Sequence, residues 1–294
     1  MPSRLLLAAL LFSAMARPGA AAAGEGARIV AVLSSDAKPY WEAFESFRRE
    51  VGVPVTLLQL REGAVQLPAD AAVVAAFGGR AAQQPYPSGV RLIYCLAPGK
   101  TVSRGSYELP PVKIQMTGDP DALVSRLLEL QPRLKRLAVF WSQGENEHKH
   151  KELRLSSRDR FEVVSVRVRS SEELYEALRG LKGRVDALWM TPDPALVNAD
   201  NFEALREYSW ANAVPFYSPT EGLVEKGASA SISASYAEIG RAAAGAARDA
   251  LAGLPVAEDI HPEKVSVTFS ASAAKRAGLA PPVETLKRVE SLLP

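Results

Sequence analysis

Hydroxyls, glycine amides, aromatic rings and carboxylates recur in this sequence at one kind of place, the end of a short apolar run. Ser34-Ser35-Asp36 follow the run Arg28 to Leu33, Gly78-Gly79 follow Ala71 to Phe77, and Ala97-Pro98-Gly99 follow Arg91 to Leu96. In the second half, Trp141-Ser142-Gln143, Thr191-Pro192-Asp193 and Tyr217-Ser218-Pro219 stand at equivalent ends. Such a set could hold a carboxylate on hydroxyls and helix-start N–H groups, an amine on Asp, and an apolar body against Trp or Tyr. Each member also has a purely structural reading. Asp193 and Ser218 fit helix N-caps, Asp36 fits a cap before Pro39, Gly78-Gly79 fit a tight turn, and Trp141 fits a core edge. Convergence at strand ends gives the set its functional weight.

Bond-making chemistry finds less support. Gly99-Lys100-Thr101 resembles the end of a phosphate-binding loop, but Tyr94 stands where its first glycine belongs. Gly227-Ala228-Ser229-Ala230-Ser231 resembles a nucleophile elbow without its final glycine. The histidines are His148, His150 and His261. His148 and His150, two residues apart, do not share a helix face, and no Asp or Cys cluster accompanies them. Neither a catalytic set, a metal site nor a cofactor is expected. Cys95, the single cysteine, sits in the run Leu92 to Leu96 and reads as a small buried hydrophobe.

The elements that must position these residues are strands alternating with helices. Arg28 to Leu33, Val55 to Leu60, Ala71 to Phe77, Arg91 to Leu96, Leu137 to Trp141, Phe161 to Val168, Val185 to Met190 and Val214 to Tyr217 read as strands. Several are almost continuously apolar, as parallel strands covered on both faces must be. Helix starts are marked by Asp119-Pro120, by the capping box Ser170/Glu173, by Asp193-Pro194, by Ser218-Pro219-Thr220-Glu221, and by Ser235/Glu238. Leu123, Leu127 and Leu130 share one helix face, as do Leu174, Leu178 and Leu181. The pattern predicts α/β architecture with two Rossmann-like lobes and parallel sheets. The lobe break is expected near Gly105 to Thr117, where glycine and paired prolines interrupt the alternation.

The 294 residues suit two domains, and 47% hydrophobic with 23% charged residues is the mix of a folded soluble chain. A formal charge of +2 gives no concentrated basic surface for nucleic acid. Arg4, the apolar stretch Leu5 to Met15 and the run Ala20 to Ala23 read as a secretory signal peptide over residues 1–23, with no lipid-anchoring cysteine after it. The expected location is therefore the periplasm, as a free monomer.

The second half also resembles a known family. Leu181-Lys182-Gly183-Arg184-Val185-Asp186-Ala187 leads into Thr191-Pro192-Asp193, and Ala213 to Ser218 precedes a glycine- and serine-rich stretch. Tyr236-Ala237-Glu238-Ile239-Gly240-Arg241-Ala242-Ala243 then opens a helix, and Ser272 to Leu279 lies near the end. These pieces resemble the tryptophan/tyrosine-type substrate-binding proteins of ABC transporters, of the type I periplasmic-binding fold. The resemblance implies a three-crossover hinge near Pro111 to Thr117, Ser233 and His261. Lobe 1 would comprise residues 27–115 with 234–261, and lobe 2 residues 116–233 with 262–294. It also implies cleft positions at Ser34, Ser35, Gly78, Trp141, Thr191, Asp193, Tyr217 and Ser218. The function implied is capture of a small organic ligand, with aromatic or branched amino acids among the ligands of relatives, for delivery to an inner-membrane ABC permease. A sensory module feeding a membrane receptor is the alternative, and a hydrolase-like enzyme a weaker one. Three places depart from the family pattern: residues 61–70 replace a full helix, Ser270 stands where Asn is common, and Leu96 to Gly99 lack the usual Asp-Pro.

Overall fold

The computed structural model describes residues 28–60, 65–142 and 145–294; the signal-peptide segment and Gln143 lie outside them. The chain begins with β1 (Arg28–Leu33), α1 (Lys38–Val51), β2 (Val55–Gln59), β3 (Ala71–Phe77), α2 (Gly79–Ala82), β4 (Arg91–Cys95) and β5 (Val112–Ile114). It continues through α3 (Pro120–Leu130), β6 (Arg136–Trp141), α4 (Glu145–Ser156), β7 (Glu162–Arg167), α5 (Ser171–Leu181), β8 (Ala187–Met190), α6 (Ala199–Asn212), β9 (Phe216–Ser218), α7 (Glu221–Val224) and β10 (Ala230–Ser233). The last part is α8 (Tyr236–Leu251), β11 (Asp259–Ile260), β12 (Ser266–Ser270), α9 (Ala271–Arg276), α10 (Val283–Leu286) and β13 (Ser291–Leu293).

Two sheets result. The first has the order β11-β5-β4-β3-β1-β2 and the second β13-β12-β10-β9-β8-β6-β7. Every pairing is parallel except β10 with β12. The near-continuous apolar runs follow from this, because helices cover both faces of each sheet. Ile29, Ala31 and Leu33 face one core cluster with α1 and α8, whereas Val30 and Val32 face another with α2. Phe44 and Phe47 meet Phe77 edge-on, at 6.1 and 5.6 Å between ring centroids. Each fully buried ring of this kind contributes roughly 1.5–3 kcal/mol.

The chain passes between the sheets three times: after β5, between β10 and α8, and between β11 and β12. The first and third crossovers are tied together. Gln115 N donates to Ile260 O at 2.8 Å and Asp119 N to Pro262 O at 2.9 Å. Gly118 lies so close to the third crossover that a Cβ there would sit 2.0 Å from Val265 Cγ1.

The expected helix signals hold at three starts. Asp119 accepts from Asp121 N and Ala122 N, Ser170 from Glu173 N, and Ser235 from Glu238 N. Two others differ. Asp193-Pro194 opens only a turn, and the helix begins later, capped by Asn198. Ser218 donates to Thr220 O instead of capping α7. The strands β5 and β10 to β13 are too short or too polar to stand out in sequence.

Helix α8 packs on α1 through backbone contact. A Cβ on Gly240 would lie 2.0 Å from Ala43 O. Gly240→Ala should therefore destabilise the protein by about 1–3 kcal/mol, although Ala favours a helix interior. Gly245, five residues on in the same helix, has nothing within 4 Å of its would-be Cβ, and Gly245→Ala should stabilise by about 0.5–1 kcal/mol. Urea unfolding of both variants checks this, and a stabilised Gly240→Ala would show that the helices do not meet there.

Candidate functional site

The carboxyl ends of parallel strands are where open α/β sheets bind ligands, since loops and helix starts there are free of the ladder. In this fold those ends from both sheets approach one another beside the crossovers. The lobes touch at the rim: a Cβ on Gly99 would sit 3.0 Å from Pro194 Cγ. Between them, Tyr94, Ala97, Pro98, Gln115 and Met116 line a small gap with Pro192.

On the first lobe, Ser34 and Gly78 are neighbours. Ser34 Oγ accepts from Ala81 N at 2.9 Å, so it holds the first turn of α2. Gly78 has φ 102°, and a Cβ there would lie 2.4 Å from Ser34 Oγ, so glycine is required twice over. Ser35 Oγ accepts from Ala37 N at 3.3 Å, at the approach to α1.

On the second lobe, Asp193 is a bracket between strand ends. It is 2% exposed, and its Oδ2 accepts from Ser142 N at 2.9 Å and from Ser142 Oγ at 2.5 Å. Its Oδ1 accepts from Ala195 N at 3.0 Å. Thr191 Oγ1 donates to Phe140 O at 2.8 Å, joining β8 to β6 a second time. Trp141 lies across β7: its Nε1 donates to Ser165 Oγ at 2.7 Å, and the Arg167 guanidinium sits 5.5 Å from its ring centroid.

Tyr217 and Ser218 sit deeper. Tyr217 is fully buried, its hydroxyl donates to Gln131 Oε1 at 3.0 Å, and burial holds its phenol above the ordinary value. Its side chain belongs to the core under α3, on the face away from the cleft. Ser218 is fully buried as well. The structure thus brings Ser34 with Gly78, and Thr191 and Asp193 with Ser142, to the two lips of the cleft, while Tyr217 supports the second sheet from below.

Residues that strand-end reasoning missed line a second part of the cleft, by the crossovers. Ser231 and Ser233 on β10 pair with Thr268 and Ser266 on β12, which puts four hydroxyl side chains on one face. They line a pocket with Thr220 and Glu221 of the same lobe and with Glu42, Tyr236 and Ile239 of the other. The alternation Ala230-Ser231-Ile232-Ser233 and Ser266-Val267-Thr268-Phe269 carries this signal in sequence, with Ile232 and Val267 in the core on the opposite face.

A wide concavity of about 920 Å³ lies at the far end of the second lobe, among the carboxyl ends of α3, α5 and α6. Helix carbonyls and Asp186 balance Arg133, Arg136 and Lys182 there, and the strands β6, β8 and β9 reach it by their amino ends, away from the cleft. Cys95 is buried, and burial raises its thiol well above its ordinary range, as for a core side chain. No group of three metal-ligating side chains occurs among the described residues, and no helix among them is long and apolar enough to cross a membrane.

The family described as ABC transporter substrate binding protein matches residues 119–279. A curated relative, the tyrosine-binding protein of Clostridioides difficile strain R20291, is 25% identical over 159 residues, 52% of this chain and 46% of that protein. The chain therefore matches about half the length of that relative. Among solved structures, the ABC domain in complex with L-Trp from Streptococcus pneumonia aligns at a TM-score of 0.58 and 15% identity, over 90% of this chain and 100% of that one. The ligand-free, open structure of a substrate-binding protein with adhesive properties from Clostridium difficile aligns at 0.62 and 15% identity, over 90% and 98%. At these identities the structures establish the fold, a type I periplasmic-binding architecture.

The Asp193 bracket is directly testable. Asp193→Ala leaves Ser142 N and Ala195 N without their acceptor and should cost about 1–3 kcal/mol in urea unfolding. A loss below about 0.5 kcal/mol, the level of an ordinary surface change, would mean that the bracket does not form.

Proposed function

The chain belongs to the family of ABC transporter substrate-binding proteins, and from that premise we propose that it is the periplasmic solute-capturing component of an ABC-type uptake system. One observation carries the reading most directly: two mostly parallel sheets, joined by three crossovers, turn their strand ends toward a shared cleft whose rims meet at Gly99 and Pro194. Such a body captures by closing, and it is not called upon to make or break bonds.

Closure needs a ligand that touches both lobes, because only interactions that the open form lacks shift the equilibrium toward the closed one. The first lobe offers Ser34, Ser35 and the Gly78 backbone. The second offers Trp141 and the turn from Thr191 to Asp193. In this reading Asp193 and Tyr217 serve the ligand indirectly: one fixes the turn and the other fixes the strand that carries Ser218. The closed pair of lobes then presents one continuous surface to an ABC permease. Two relatives are named for tyrosine and L-Trp, so amino acids head the classes to be screened, followed by sugars and small amines.

A thermal-shift screen with scattering tests the reading. A true ligand at one hundred times its Kd should stabilise by about 2.7 kcal/mol, and the radius of gyration should fall when it binds an open population. If no amino acid, sugar, organic acid or amine at millimolar concentration changes either quantity, solute capture is the wrong function.

A further inference from the structure

We propose that the part of the cleft beside the crossovers is an ammonium site, so that the captured solute is a small organic amine with no carboxylate of its own. This rests on the solute-capture reading and names the ligand class for that same cleft.

The pocket joins Glu42 from α1 with Glu221 at the start of α7, one carboxylate from each lobe. Glu42 is half-buried and Glu221 is on the exposed rim. Neither makes an ion pair or hydrogen bond with another described residue, and no described lysine or arginine lines the pocket. Both carboxylates act on Tyr236 between them: its phenol is held above the ordinary value by burial first, then by Glu221, Glu42 and the neighbouring Tyr40.

A second observation is independent of the carboxylates. Ser231 is 1% exposed and Thr268 is 7% exposed, and they face each other across β10 and β12. Both residues line the pocket, and neither hydroxyl bonds another described residue. Facing residues on paired strands place these two hydroxyls on the one side that borders the pocket, where a donor from outside the protein can reach them. An ammonium group supplies N–H donors for these oxygens and charge for the carboxylates.

Size and field agree. The free space is about 50 Å³, where about 10–15 Å³ on the same measure holds one water, so a small head group fits. The N-terminus of α8 also opens here, with a dipole worth about half a positive charge. Two full carboxylate charges outweigh it, and Ser235 and Glu238 already occupy its first turn. A ligand carboxylate is therefore disfavoured. The arrangement also supplies a reason for closure: approach of Glu42 and Glu221 without a cation is opposed, and an ammonium between them removes that cost only in the closed form.

The test is binding, by thermal shift and calorimetry on the whole protein, of butylamine and 1,4-diaminobutane against norvaline, tyrosine, tryptophan and glucose. Amines should bind, and Glu42→Gln and Glu221→Gln should each weaken amine binding at least about tenfold. Both variants should keep the wild-type melting temperature without ligand, since neither carboxylate has a partner to lose. If amino acids or glucose bind, amines do not, and the binding survives both substitutions, the ammonium site is wrong and solute capture stands. If nothing in any class binds, solute capture fails and the ammonium site with it.

Discussion

The backbone of α8 rests on the backbone of α1, and much of the architecture depends on that approach. Gly240 leaves no side chain between the helices, and Ala243, Ala244 and Ala247 continue the small surface. The contact matters because α8 reaches the first lobe only after the chain has built most of the second. Docking it against α1 fixes where the second crossover returns. The bonded pair of first and third crossovers then leaves the sheets few relative positions. Three passages of chain thus connect the lobes, and two of them are hydrogen-bonded together.

At the cleft, the polar residues mostly hold one another. Asp193 gives both oxygens to Ser142 and Ala195, Ser34 supports α2, and Thr191 bonds β6. These bonds hold the side chains at the strand ends in one geometry, so a partner meeting them would find little freedom left to remove. The groups left without partners are therefore informative. They include Glu42, Glu221 and the hydroxyls that β10 and β12 turn to the inner pocket, together with the buried Oε1 of Gln115 in the gap beside the crossovers. The cleft thus divides into a rigid polar rim and an unsatisfied, acidic inner end.

The division between what was legible and what was hidden follows the range of the forces. Alternating apolar runs and capped helices gave the two-lobed α/β plan, because periodicity and N-caps act over a few residues. Asp119, Ser170 and Ser235 cap where their local pattern says they should. Gly78 is fixed by a local turn and was visible as a strand-end glycine. Asp193 and Ser218 carry the same local signature as caps, yet tertiary neighbours claimed them. Ser142 offers Asp193 two donors, and Thr220 O takes the Ser218 proton.

By itself, the sequence determined the alternation of strand and helix, the parallel character of the buried strands, and the kinship with solute-binding proteins. Only the tertiary structure decided which polar side chains remain available to a ligand. Tyr217 sits at a strand end in sequence, but the side chains of a strand alternate between faces, and pairing with β8 and β10 turns its ring into the core. Glu42 and Glu221 are far apart in the chain and carry no local mark. They share a pocket because the second crossover folds α8 back onto α1, which carries Glu42 to the hinge beside the hydroxyl face.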